Sequence, residues 1–214
     1  KAGLCSVDKK TPLAGCKEEV PGTTCAAINK SRPDAKDGKY WLDWDGTFGN
    51  KPALYQCDMK GGGWTLFEAN TFESGADSWT TGVAHQPIGH RAKCGKLTSF
   101  IHHDKAPFYK VFQGLPPHTQ VRFVFDAVAY EYLSPIKASL YIDDSKTKAW
   151  SIEFKSKPSE NHCDFYQDLL KLNDGKVPGI VVKAPHTGST VKPSFNKTGG
   201  DFHFGIDNFN LWVR

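Results

Sequence analysis

Aspartates at predicted turns are the residues best suited to bind an ion. Calcium takes several oxygen ligands at flexible spacing, and acidic turn residues beside backbone carbonyls supply such oxygens. The calcium ligands that we expect on this basis are Asp143, Asp144, Asp201 and Asp207, with Asp43 and Asp45 as a further acidic turn. Acidic turn residues in β-proteins also hydrogen-bond their own backbone. Calcium binding and a purely structural turn therefore both remain open at each position.

Aromatic side chains beside polar groups form the second candidate site, because a sugar presents apolar C–H patches ringed by hydroxyl groups. The chain has six Trp and seven Tyr. The ligand-binding residues that we expect are Tyr130, Glu131 and Tyr132 in a loop-like stretch between strands, and His203, Asp207 and Asn208 near a sandwich end, where binding loops cluster. For most of the tryptophans we favour packing in the core or at its rim.

No catalytic motif occurs in the sequence, which lacks G-x-S-x-G, H-E-x-x-H, a P-loop and a G-x-G-x-x-G opening a helix. Asp143 and Asp144 are adjacent at a strand end, where neighbouring side chains point in opposite directions, so they make a poor acid–base pair. His102 or His103 with Asp104 offers ligands for a transition metal, and a polar loop is the favoured alternative. We therefore expect a protein that is not an enzyme.

Charge and hydropathy exclude two classes of partner. The 27 Lys and Arg are interspersed with 23 Asp and Glu, and no basic block stands out. Nucleic-acid binding normally leaves a concentrated basic stripe, so we expect none. No apolar run approaches the roughly 20 residues of a membrane-spanning helix. The length suits one large domain or two small ones.

The six cysteines indicate an extracellular, disulfide-bonded protein. None belongs to a C-x-x-C pair, which disfavours zinc ribbons and thioredoxin-like sites. Two N-x-[ST] sequons, at Asn29 and Asn196, predict N-glycosylation and agree with a secretory route. We expect a secreted protein on this basis.

Alternating apolar residues predict strands through the second half of the chain. "QVRFVF" places Val121, Phe123 and Phe125 on one face, and "KASLYID", "AWSIEF" and "FGIDNFNLWV" repeat the pattern. Such alternation is typical of antiparallel sheets with one packed face. It predicts a mostly-β protein, an antiparallel β-sandwich of jelly-roll-like type with little helix. One helix is predicted in "CDFYQDLLKLNDG", and residues 74–99 are predicted to be a connection with little regular structure.

The first part of the chain resembles fibrinogen-related domains. Cys25 is followed by G-x-Y-x-L at Gly38, then by "YQCDM" ending at Met59, then by "GGGWT". Trp44 stands where that family usually has proline. The resemblance implies a disulfide-bonded, fibrinogen-like N-terminal segment with a Cys25–Cys57 bond. The three glycines are expected to let two strand ends pass closely, with Trp64 packed over the bare backbone. The family's ligand pocket and calcium site lie further downstream, and their motifs are not found here.

With Cys25 and Cys57 paired, two other bonds are favoured among the remaining combinations. Cys5–Cys16 closes a short loop, and Cys94–Cys163 ties the long connection to the sandwich.

The second half resembles galactose-binding-like β-sandwich modules of secreted and cell-surface proteins. "GLPPHTQVRFVFDAV" leads into an apolar strand, and a later turn at Asp143–Asp144–Ser145 is followed by Trp150. The resulting division is a fibrinogen-like segment over 1–75, a connecting region over 76–105 and a β-sandwich recognition domain over 106–214.

These observations predict a secreted, non-catalytic recognition protein. Its expected partners are glycans or glycosylated proteins, with calcium as a candidate organiser of the site. The alternative is a structural or adhesive extracellular matrix protein that acts through protein–protein contacts. A secreted hydrolase would require loops to assemble a motif that the sequence does not show. Fold resemblance alone does not choose among these classes.

Overall fold

The structure is a computed structural model that describes residues 13–46, 49–82, 89–94, 97–103, 107–130, 136–154, 167–169, 179–198 and 203–214. Within these residues the chain forms one helix and fifteen strands. They are α1 (Cys25–Ser31), β1 (Gly38–Leu42), β2 (Ala53–Asp58), β3 (Trp64–Asn70), β4 (Gly89–Cys94), β5 (Leu97–His103), β6 (Phe108–Tyr109), β7 (Phe112–Gln113), β8 (Gln120–Tyr130), β9 (Ile136–Ile142), β10 (Trp150–Phe154), β11 (Gln167–Leu169), β12 (Ile180–Pro185), β13 (Thr190–Val191), β14 (Pro193–Thr198) and β15 (His203–Val213).

The strands build a large and a small antiparallel sheet. In the large sheet the order is β1-β2-β3-β15-β5-β4, and β8 joins it by pairing with β15, β11 and β12. The small sheet has the order β10-β9-β14-β6, and β7 and β13 form a separate pair. Strand β15 is central because it pairs with β8 on one side and with both β3 and β5 on the other.

The two sheets pack face to face over one aromatic core, which confirms the predicted antiparallel sandwich. Phe125 on β8 lies 4.9 Å from Phe195 on β14 and 5.3 Å from Trp150 on β10, measured between ring centres. Val121, Phe123 and Phe125 are all buried, as their alternation predicts. Burial of such aromatic side chains is the main contribution to the stability of a core of this kind.

Residues 74–99 contain more regular structure than their composition predicts. Strands β4 and β5 occupy part of this segment and extend the large sheet, so the expectation of little regular structure was wrong there. Trp79 from the same segment is buried at the centre of the core. It lies within 6.3 Å of five phenylalanine rings, at positions 72, 108, 112, 195 and 209.

A second, smaller core holds the N-terminal segment together. It consists of Cys25, Ile28, Tyr40, Leu42, Cys57 and Met59, and the implied Cys25–Cys57 disulfide is present. Helix α1 begins where the Thr24 hydroxyl accepts a hydrogen bond from the Ala27 amide, an N-cap that satisfies one of the unpaired donors of the first turn.

The glycine run is required where the chain passes helix α1. A Cβ at Gly63 would lie 2.7 Å from Ala26 Cα and 2.8 Å from the Cys25 carbonyl oxygen, and its φ of +81° suits only glycine well. The close approach is thus to the helix and not to another strand end. Trp64 packs beside this run, and its indole N–H donates to the Gly61 carbonyl at 3.1 Å.

One predicted element is wrong where the structure describes it. Residues 167–169 form strand β11 against β8, although the periodicity of "CDFYQDLLKLNDG" predicts a helix. Three residues of this segment gain backbone partners on a sheet edge, and that tertiary pairing overrides the local pattern.

Two predicted disulfides lie outside the described residues. Cys16 is disulfide-bonded, but the Cys5–Cys16 and Cys94–Cys163 pairings both depend on residues that the structure does not describe. The division at 75 and 105 stays a prediction about sequence units, since strands from all three segments share the large sheet. Among the described residues, no helix has the length and apolar character to cross a membrane.

Candidate functional site

A groove of about 650 Å³ lies at one end of the sandwich, where three turns meet. The turn after β9 supplies two aspartates, the turn after β12 supplies polar residues, and the link between β6 and β7 supplies an apolar floor. Its lining residues are Val111, Asp143, Asp144, His186, Thr187, Gly188, Thr190, Val191 and Lys192. The groove therefore combines an apolar surface with carboxylate, ammonium, imidazole and hydroxyl groups.

Asp143 and Asp144 form a tight turn with an unusual backbone. Their φ angles are +52° and +58°, in the left-handed region that aspartate tolerates better than most residues. The turn is fixed because Ser145 N–H donates to the Ile142 carbonyl at 3.1 Å, and Lys192 N–H donates to Asp143 Oδ1 at 2.8 Å. Backbone in this region is held by its surroundings and is common at binding sites.

Lys192 connects the groove to the outer face of the small sheet. Its ammonium lies 2.6 Å from Asp144 Oδ1 and 4.4 Å from the centre of the Tyr109 ring. The Asp144 side chain stays 77% exposed, so one carboxylate is presented to solvent in a fixed position. Tyr109 in turn pairs with Ser194, whose other neighbour across the sheet is the half-buried Tyr141.

Two histidines brace the wall of the groove. His118 Nδ1 lies 2.6 Å from the Pro116 carbonyl, His118 Nε2 lies 2.7 Å from His186 Nδ1, and His186 Nε2 lies 2.9 Å from Asp143 Oδ2. The rings are nearly parallel, with centres 5.0 Å apart. Every ring nitrogen is engaged, so the pair holds three chain segments together and offers no unshared nitrogen to a substrate.

The protonation of this pair follows from its acceptors. Three hydrogen bonds need three protons, and two neutral imidazoles bring only two, so one ring is imidazolium when Asp143 is ionised. Burial lowers the pKa of His118, and the neighbouring His186 lowers it further. The hydrogen bond to the Pro116 carbonyl raises it, but by less. The lowered pKa favours the neutral form of His118.

The structure separates the predicted site residues into different regions. Asp143 and Asp144 lie in the groove. His203 is the cross-strand neighbour of Tyr130, four residues along both strands from the Asp207–Asp126 pair. Glu131, Tyr132 and Asp201 lie outside the described residues.

Asp207 and Asn208 lie at an irregularity between β15 and β8. Asp207 is fully buried, and Asn208 Nδ2 donates to Asp126 at 2.8 Å and to Asp207 at 3.1 Å. Burial raises the pKa of Asp207 to about 7, and the nearby carboxylates of Asp126 and Glu73 also raise it. The hydrogen bond from the Asn208 backbone N–H lowers it, but by less than burial raises it. Burial also raises the pKa of Asp126.

The acidic turns fit calcium poorly as they stand. Asp143 is engaged by Lys192 N–H and His186, and Asp144 by the Lys192 ammonium. Asp43 and Asp45 accept backbone N–H bonds from their own turn, at 2.8 and 2.9 Å. No group of three or more His, Cys, Asp or Glu in the described part of the chain has the arrangement of a metal site. Calcium binding stays a prediction.

The sequence analysis did not predict the groove residues His186, Lys192 and Val111, nor His118, which contacts His186 from behind the lining. The two histidines are 68 residues apart in the chain. Their approach depends on the pairing of β8 with β12, which alternation does not specify. No local motif marks them.

The predicted glycosylation sites stay predictions. Asn29 is half-buried in α1 and its amide donates to the Met59 carbonyl at 2.7 Å, whereas Asn196 lies half-buried in β14.

Comparisons with known proteins identify no family. No family model matches the chain, and no curated protein matches it. Among solved structures, the CBM22-1 xylan-binding domain of Xyn10C from Paenibacillus barcinonensis has 10% identity and a TM-score of 0.44, over 69% of this chain and 94% of its own. The carbohydrate-binding module TmCBM27, described for specific mannan recognition, has 11% identity and a TM-score of 0.44, over 71% and 98%. The K1 cleaved adhesin domain of Lys-gingipain from Porphyromonas gingivalis W83 has 14% identity and a TM-score of 0.43, over 69% and 98%. These scores are too low to assign a fold or a ligand.

Proposed function

We propose that the protein is a secreted, non-catalytic recognition protein that binds a glycan, or the glycan of a glycosylated partner, in the groove at the end of the sandwich. The observation that carries the proposal is the groove itself, with the exposed Asp144 carboxylate and the partly exposed Lys192 ammonium beside the apolar side chain of Val111. A concave site with a few convergent polar groups is the usual form of a small-ligand site.

The lining matches the two kinds of surface that a sugar presents. Val111 is 46% exposed and offers an apolar contact for C–H groups. Asp144 accepts hydrogen bonds from sugar hydroxyls, and Lys192 donates to them, each held in place by the other at 2.6 Å. The hydroxyls of Thr187 and Thr190 line the same groove. Charge-assisted hydrogen bonds of this type are the stronger ones in ligand binding.

The ion pairs in the groove favour an uncharged ligand. Asp144 is paired with the Lys192 ammonium at 2.6 Å, and Asp143 Oδ2 lies 2.9 Å from His186 Nε2. A charged ligand would compete with one partner of the Asp144–Lys192 pair, whereas a neutral ligand can form hydrogen bonds to both. We therefore assign the groove to a neutral glycan.

Several finer assignments belong to the same proposal. The paired Cys25 and Cys57 support a secretory route, because disulfides persist in oxidising compartments. The fibrinogen-like and galactose-binding-like assignments rest on the sequence resemblances. Calcium acts in this proposal only if it displaces the present partners of Asp143 and Asp144.

A glycan array tests the proposal, with the protein applied in millimolar calcium and again with a chelator. We expect selective binding of neutral glycans. Asp144→Asn should weaken that binding about tenfold or more, because a hydrogen bond to a charged group is lost. Asp34→Asn is the matched control, since Asp34 is an exposed aspartate outside the groove. Loss of binding with the chelator supports a calcium role.

Two results would contradict the proposal. A blank array in both conditions removes glycan recognition and favours the matrix-protein alternative. Binding that is unchanged by Asp144→Asn moves any glycan site away from the groove.

A further inference from the structure

The outer face of the large sheet carries a row of basic and aromatic residues. Lys183 on β12 pairs with Arg122 on β8, which pairs with Trp212 on β15. Their sequence neighbours Val182, Phe123 and Leu211 are buried in the core, so by alternation the row lies on the opposite face. This row lies on a sheet face, whereas the groove is lined by turns; Lys183 precedes the groove residue His186 by three positions on the same segment.

Three cations gather around one indole ring in this region. The Arg122 guanidinium lies 4.8 Å from the centre of the Trp64 ring and 4.5 Å from that of Trp212. The Arg214 guanidinium lies 5.0 Å from the Trp64 ring, and the Lys183 ammonium lies 5.7 Å from it. All four distances are within the range of a cation–π contact.

The cations outnumber the acidic groups. Asp58 is the one carboxylate paired with this cluster among the described residues, with Oδ2 at 2.7 Å from Arg122 Nη1. Burial would raise the pKa of Asp58, but hydrogen bonds from Arg122 and the Gly61 N–H outweigh it and hold that pKa below its usual value. With Asp58 ionised, three side-chain cations face one side-chain carboxylate.

The surplus charge is accessible. Lys183 is exposed, and no ion pair of its ammonium is found in the described part of the chain. Trp212 is half-buried. Val181 lies two residues before Lys183 on β12, on the same face, and is 55% exposed. Arg122 itself is only 12% exposed and its Nε has no hydrogen-bond partner among the described residues, so it contributes charge more than direct contact.

We propose that this face is a second binding site, which takes an acidic glycan carrying sulfate or carboxylate groups. The Lys183 ammonium binds the anionic group, and the exposed edge of Trp212 with Val181 contacts the C–H surface of the sugar ring. A surplus of positive charge attracts a polyanion, and an indole surface beside it favours a sugar chain over an acidic peptide.

Titration of the purified chain with heparin, polygalacturonate, neutral dextran and polyglutamate tests this site. We expect binding of one or both acidic glycans, which weakens as salt is raised because the charges are exposed. Lys183→Ala should weaken it about tenfold, and Lys183→Glu should abolish it. Both variants change an exposed side chain, so folding is retained.

Two control variants make the result specific. Lys137→Ala removes an exposed lysine from the small sheet and should leave binding unchanged. Asp144→Asn in the groove should also leave acidic-glycan binding unchanged, so failure of this site and failure of the groove are distinguishable. Absence of acidic-glycan binding overturns the proposal. Equal binding of polyglutamate overturns it too, as does equal weakening by Lys137→Ala.

Discussion

The groove and the outer face of the large sheet differ in how their charged side chains are arranged. In the groove, Asp144 is paired with the Lys192 ammonium at 2.6 Å, and Asp143 lies 2.9 Å from the His186 imidazole. On the large-sheet face, three cations lie around the Trp64 ring, and Asp58 forms its ion pair with Arg122. Matched pairs in a concave site suit a neutral ligand, whereas surplus charge on an open face suits an anionic one.

The difference follows from where the residues come from. Turns bring oppositely charged residues together from distant parts of the chain, as Asp144 and Lys192 show. Adjacent strands place residues side by side at fixed spacing, so like charges can be tolerated only with aromatic or acidic groups between them. The arrangement of the three cations therefore depends on the Trp64 ring, which all of them contact, whereas no single side chain contacts every charged group of the groove.

Trp64→Ala should produce the largest effect on the cation cluster. Trp64 is fully buried and contacts all three cations, so we expect a loss of about 3–5 kcal/mol in the free energy of unfolding. Trp212→Ala removes a half-exposed ring and should cost less than half as much. Urea denaturation of both variants measures this, and equal losses would contradict a central role for Trp64.

The buried carboxyl groups of Asp207 and Asp126 give a second test, through the pH dependence of stability. Because the pKa of Asp207 is raised to about 7, the folded state holds a proton that the unfolded chain releases near pH 4, and stability falls as pH rises between those values. Asp207→Asn should remove the Asp207 contribution to that slope, leaving the smaller one of Asp126, and raise the free energy of unfolding at pH 8 by on the order of 3 kcal/mol. Denaturation from pH 4 to pH 8 in chelator measures it, and an unchanged slope refutes the assignment. A rise in wild-type stability with calcium at pH 8 would instead indicate a metal role for Asp207.

Removal of Asp58 should move stability and binding in opposite directions. Asp58→Asn should lower the free energy of unfolding at pH 7 by about 1–2 kcal/mol, because the bond to Arg122 is lost. The folded-state pKa of Asp58 is depressed, so this contribution is present above pH 4 and disappears as pH falls through that lower pKa. The same change should tighten acidic-glycan binding, and weakened binding would contradict the surplus-charge interpretation. Asp34→Asn is the control.

The smallest expected effect concerns which ring nitrogen of His118 carries the proton. His118 should be neutral at pH 7 and carry its proton on Nδ1, since the Pro116 carbonyl can only accept. Nitrogen chemical shifts in long-range ¹H–¹⁵N spectra report the tautomer. A proton on Nε2 alone would show that the chain of hydrogen bonds to Asp143 is incorrectly assigned.

The sequence predicts the sandwich far better than it predicts the sites. Alternation placed Phe123 and Phe125 in the core because burial follows a period of two residues. It could not show that Trp79, in a segment without periodicity, fills the centre of that core. Helical spacing at 165–172 was misleading because β11 gains its partner from β8, outside the local window.

The sites escaped prediction for a related reason. Asp143 and Asp144 were found because acidic turns are visible in sequence, but His118, His186 and Lys192 become neighbours only through sheet register. Trp64 was recognised through the glycine motif, whereas the cations around it come from three other positions in the chain. Pairing between strands is the information that a single sequence does not supply.

The most direct measurement is a competition between two ligands in one calorimetric titration series. A neutral glycan from the array and an acidic glycan are each titrated alone and then into protein saturated with the other. If the groove and the large-sheet face are separate sites, each ligand binds with unchanged affinity in the presence of the other, and only the acidic one weakens with salt. Mutual displacement would show a single site and contradict the division of charge between the two regions.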